Sequence, residues 1–307
     1  MRRQILCLSI ILSIVLFSSC NINAIPYIYL WPLGPPRTMN WHNNLLAVGA
    51  ETGYLVVLNV NGNLKWKHMV TTSPGIYSVA WSNSGLLAAG SWERYVYVFD
   101  ANGNLKWKYE TGGSIGCVAW SNNNLLAAGG LDNYVYVFDA CGNLKWRYET
   151  GGWVECVAWS NNNLLAAGGL NNYVYVFDAD GNFKWKYRAG GSIGCVAWSN
   201  NNLLAAGGLD NYVYVFDANG NLKWRYETGG WVRCVAWSNN NLLAAGSDDG
   251  YVYVFDANGN LKWKYRGYKL DVGIYIFVFA CLFIGWRMYR WMRKDKEAAI
   301  LKRLLED

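Results

Sequence analysis

Short apolar runs, parted by clusters of Asn, Asp and Gly, follow one another from about Thr38 to Tyr265. In the copy that begins at Ser114, SIGCVAWS, LLAAGG, YVYVFDA and LKWRYET are the apolar runs. The breaks between them are SNNN, LDN, CGN and TGG, residues that accept positive φ or bond their own backbone. No run carries the 3.6-residue period of a helix, so the pattern predicts four short strands per copy. The third run is apolar on both faces: Tyr134, Tyr136 and Phe138 share one side, Val135 and Val137 the other. A strand of that kind needs a sheet covered on both sides.

The copies are regular. Trp81, Trp120, Trp159, Trp198 and Trp237 recur every 39 residues, and Trp41 extends the series back with a one-residue offset. A second marker runs in phase: NGNLKW at Asn61, Asn102, Asn219 and Asn258, CGNLKW at Cys141 and DGNFKW at Asp180. Six copies of a four-stranded unit at a ~40-residue period predict an all-β fold, a six-bladed β-propeller of four-stranded blades over residues 38–268. Residues 25–37, an N-terminal extension, are too few for a seventh blade and are expected to add a strand (YIYLW) or to seal the first and last blades.

Two motifs resemble known families. The stretch WVECVAWSNNNLLAAGGLNNYVYVFD is similar to the first three strands of a WD-repeat. FDANGNLKW resembles the tryptophan-docking motif of pyrroloquinoline-quinone-type propellers, with a shorter turn. Both resemblances imply a propeller; neither implies one role, because both superfamilies host many. The departures matter too. The Gly-His pair of WD-repeats is absent, their strand-three Trp is Phe or Leu here, and their strand-two Ser is Ala, so their internal hydrogen-bond tetrad is not carried over. The adjacent cysteines and calcium site of quinone-dependent dehydrogenases are not visible, and no cofactor is expected.

The ends differ from the repeats. Residues 1–24 place Arg2 and Arg3 before an apolar run from Ile5 to Phe17, the layout of a signal peptide. Three outcomes fit: cleavage after Ala24, lipidation of Cys20 within a lipobox-like LFSSC, or a retained anchor. Val272 to Trp286 carries no charge, and Lys269, Arg287 and Arg290 flank it, so residues 269–289 are expected to form one transmembrane helix. Residues 290–307 then form a basic cytoplasmic tail, with the propeller at the cell surface, outside the cytoplasm. Strand alternation sets the TGG and LDN loops on the rim nearer the bilayer.

Charge fits this partition. Of the net +6, Arg2 and Arg3 contribute +2 and residues 287–307 contribute +3, seven positive against four negative. The remainder is near neutral and offers no basic face for nucleic acid.

Candidate chemistry is sparse. The chain has two histidines, His42 and His68, with no triad or phosphate-loop pattern around them. Cys117, Cys156, Cys195 and Cys234 repeat with the blades and read as small buried hydrophobes. Asp132, Asp210, Asp248 and Asp249 read as turn residues, too few per loop for the 6–8 ligands of calcium. The informative positions are those where copying breaks. Trp153 with Glu155, and Trp231 with Arg233, stand where the two alternate copies have Ser114 with Gly116 and Ser192 with Gly194, and they form a candidate binding face. The expected role is a non-catalytic binding or scaffold module for a protein or cell-envelope partner. A quinone-dependent or other propeller enzyme and a purely structural envelope component are the alternatives.

Overall fold

The structure is a computed structural model, and it describes residues 34–72 and 75–267. The expected signal segment, Cys20, the transmembrane span and the tail therefore lie outside the described residues. Among the described residues no helix is long and apolar enough to cross a membrane.

Six four-stranded antiparallel sheets follow one another, at residues 36–69, 76–110, 115–149, 154–188, 193–227 and 232–266. In each sheet the strands pair in chain order. In blade 4 they are Val154–Trp159, Leu165–Gly169, Tyr173–Phe177 and Phe183–Arg188. First strands of successive blades touch, and fourth strands make no comparable contact, so the first is innermost. This architecture is consistent with a six-bladed propeller. Blade 1 begins at Pro36 rather than Thr38, because Pro36 already pairs with Ala50.

The two-faced apolar strand explains the stacking. Ala166, Val174 and Val176 of blade 4 pack on Ile193, Leu204, Ala206, Tyr214 and Phe216 of blade 5. The same division holds between blades 5 and 6. Each large side chain buried this way contributes about 1.5–3 kcal/mol. Outer strands such as FKWKYR keep Lys and Arg facing solvent, which protects a sheet edge from pairing.

A latch accompanies each of the five junctions. The indole N–H of Trp146, on the outer strand of blade 4's predecessor, donates to the Ala179 carbonyl of blade 4 at 2.9 Å. Trp66, Trp107, Trp185 and Trp224 repeat this bond across their own junctions. The accepting turn carries Gly181 at φ +88°, where a Cβ would stand 2.6 Å from the Trp146 ring. Glycine is thus required both by conformation and by the ring lying against it. Asp178 shapes that turn by accepting the N–H groups of Asp180 and Asn182.

The sixth junction differs. No contact of comparable extent joins blade 6 back to blade 1 among the described residues. Trp263 is 54 % exposed and Tyr265 60 %.

Candidate functional site

Each first strand contains a β-bulge at the same step. In blade 4, Val154 pairs with Gly169 and Cys156 with Gly168, so Glu155 has no residue opposite. The equivalent bulged residues are Arg37, Tyr77, Gly116, Gly194 and Arg233. A bulge frees its extra residue from the ladder and re-aims the side chain. The positions where the repeats differ most are therefore those least bound by packing. They sit at the start of the innermost strands, beside the turn joining the second and third strands.

That rim holds the exposed aromatics. Trp153 and Trp231 are 48 % and 47 % exposed. Their carbonyls accept the N–H groups of Leu170 and Asp248 across the rim. Arg233 lies over the Trp231 ring at 4.7 Å and is held by Asp248, with its Nη2 at 2.7 Å from the carboxylate. Matching chemistry sits at blades 1 and 2. Arg37 lies 4.4 Å over the Tyr77 ring and pairs with Glu51 at 2.8 Å. Tyr77 in turn stacks on the exposed Trp92 at 5.5 Å.

The structure brings Trp231 and Arg233 into direct contact. It does not pair Glu155 with Arg233, although the arginine's charge reaches the carboxyl. Burial holds the Glu155 carboxyl above the usual carboxylate range, and Arg233 draws it part of the way back. Arg37, Tyr77 and Trp92 are members of this rim that sequence reasoning missed. The matching of Thr38 and Ser78 to the repeating cysteines places Arg37 and Tyr77 one residue earlier, at the Glu155 position.

A second polar system braces the rim. The Tyr136 hydroxyl donates to Asp132 at 2.5 Å, and Tyr214 and Tyr253 do so to Asp210 and Asp249 at 2.6 Å. The N–H groups of Gly190 and Gly229 also point at these carboxylates, 2.7 Å away. The repeating aspartates are thus turn and bracing groups. Burial and the Asp249 carboxylate push the Tyr253 hydroxyl up to about 12.

The other residues weighed from sequence have structural places. His68 occupies the position of Tyr109 and Tyr148, with Nε2 2.9 Å from the Gly103 carbonyl and its ring stacked on Phe99. His42 stacks on Trp81. Cys117 and Cys195 are unpaired thiols that burial raises to about 12, which removes thiolate reactivity at neutral pH. Cys141 is exposed in its turn. Among the described residues no group of three His, Cys, Asp or Glu is placed to hold a metal.

On the opposite rim the Asn turns form a chain of amides. Asn83, Asn122 and Asn161 each donate to the equivalent Asn of the next blade, at 3.2–3.4 Å.

A family model described as WD domain, G-beta repeat matches residues 65–100, 104–139, 143–178, 181–217 and 221–256. Each match opens at the fourth strand of one blade and closes just after the third strand of the next. It therefore spans one Trp latch from donor toward acceptor. No curated protein sequence matches the chain.

Proposed function

Because this chain belongs to the WD-repeat family of β-propellers, we propose that it is a non-catalytic interaction module whose bulge-lined rim docks a protein partner. WD-repeat propellers commonly bind proteins and are typically non-catalytic scaffolds. The observation that carries the reading is the coincidence of variability and geometry. Near-identical blades diverge at the one inner-strand residue freed by a bulge, and Trp92, Trp153 and Trp231 stand exposed on the same rim. Exposed aromatics beside buttressed arginines are what binding hot spots are made of.

Affinity capture with the full chain and with Trp153→Ala plus Trp231→Ala tests it. The double variant is expected to lose the reproducible partners at unchanged folding. An unchanged partner set would remove this rim as the docking face and favour a purely structural role.

We further propose a cell-surface location, with residues 269–289 as the tether and the propeller outside the cytoplasm. The uncharged run Val272 to Trp286 and the cationic cluster after it support this. Extraction of membranes at alkaline pH, with protease added to intact cells, checks both halves. Release of the chain by the extraction, or full protection from the protease, would count against the location.

A further inference from the structure

The six bulge positions differ in how well their side chains are partnered. Arg37 has Glu51 and the Tyr77 ring, Tyr77 has Trp92, and Arg233 has Asp248 and the Trp231 ring. Glu155 alone among the charged members makes no hydrogen bond and no ion pair among the described residues. It is nonetheless half-buried. A carboxylate withdrawn from water without a partner is unfavourable, and such groups are ordinarily paired.

Its surroundings are kept clear. The neighbouring bulge positions on blades 3 and 5 are Gly116 and Gly194. Neither has positive φ, and a Cβ would come no closer than 3.5 Å to any atom at Gly116 or 3.7 Å at Gly194. The backbone does not demand glycine at either place. What the two glycines do is leave the bulge positions of the two flanking blades without a side chain. The local charge is uneven as well. Arg37 is paired with Glu51 and Arg233 with Asp248, and Arg233 reaches Glu155 by its charge alone, without an ion pair or hydrogen bond.

We propose that Glu155 is the docking point for a lysine or arginine side chain of the protein partner, entering the rim in the clearing that Gly116 and Gly194 leave. This rests on the reading of that rim as the docking face, and it specifies the partner's chemistry: a basic segment with one protruding cation. A charge-assisted hydrogen bond to an ammonium or guanidinium group would supply the missing partner.

The test uses the full chain and short synthetic peptides centred on one lysine or arginine. Each is paired with the same peptide bearing norleucine or citrulline instead. The wild type is expected to bind the cationic member of a pair about tenfold more tightly or better. Glu155→Gln should abolish that difference, and rising ionic strength should weaken only the wild type's preference. Gly194→Leu, which puts a bulky side chain at the neighbouring bulge position, should weaken cationic binding too.

Equal affinity for charged and uncharged peptides, or no binding of any cationic peptide, would overturn the proposal. Affinity capture separates this failure from that of the docking face. If Glu155→Gln keeps the partners that the tryptophan double variant loses, the rim docks proteins and the cation reading alone falls. If both variants keep them, the docking face falls as well.

Discussion

Blades 5 and 6 present almost the same residues toward the blade that follows, yet these residues have different fates. In blade 5, Ala205, Val213 and Val215 are fully buried, and Trp224 bonds the Ala257 carbonyl. In blade 6 the matching Ala244 and Val252 are only partly buried, and Trp263 is 54 % exposed. A Cβ on Gly207 would strike Val232 of the next blade, whereas one on Gly246 would meet only Cys234 of its own blade. The residues cannot account for the contrast, so the neighbour must. Burial here belongs to the junction and not to the blade, as expected when each unit contacts only those beside it.

Substitutions can break that comparison. The largest effect is expected where both blades are covered: Phe216→Ala and Phe255→Ala should each cost about 3–5 kcal/mol, because both rings are fully buried against the preceding blade. Unequal costs in chemical unfolding would show that blade 6 is loose on both faces. Next comes the latch. Trp224→Ala should cost about 2–3 kcal/mol through lost packing and a lost hydrogen bond, while Trp263→Ala should stay within about 0.5 kcal/mol, as surface changes usually do. Similar losses for the two would mean that the blade 6 latch is closed in solution.

A smaller effect tests the rim. The folded state raises the Tyr253 hydroxyl to about 12, from about 10 in an unfolded chain. The bond to Asp249 therefore contributes fully below about pH 10 and is lost as pH rises through about 12. Stability should decline over that window, and Tyr253→Phe should flatten its share of the decline. Following tyrosinate absorbance during alkaline unfolding checks the sign. An ordinary titration near pH 10 in the folded chain would rule out the bracing bond.

The smallest effect should come from Asn122→Ala. This amide lies on the exposed opposite rim, and its removal is expected to shift stability by no more than about 0.5 kcal/mol.

Strand positions were legible because a two-faced apolar run such as YVYVF has few other uses, and because Asn, Asp and Gly mark nearly every turn. The aromatic side of Tyr134, Tyr136 and Phe138 was assigned correctly from alternation alone. The bulge was not legible. It adds one residue to an otherwise smooth strand, and in Ser114 to Cys117 that residue is an unremarked Gly. Only the register against the second strand shows that Glu155 and Arg233 are extra. The Tyr-to-Asp bracing was hidden for a related reason. Asp132 and Tyr136 are four apart across a turn, a spacing that carries no chemical signature. The lack of a sixth junction among the described residues was least legible, since blade 6 is written in the same letters as its covered neighbours.

The tryptophan latch also bears on how such a chain can grow. Its donor lies on the outer strand of one blade and its acceptor in the turn of the next, about 33 residues on. Any 39-residue segment copied in register therefore brings one donor and one acceptor together, whatever its starting point. The inserted copy can engage both flanking blades without further substitution. Unequal recombination would thus yield foldable products at once, and near-identical repeats are the record such a process leaves. Divergence would then gather where the copy is not held by its neighbours, at the bulges of the rim.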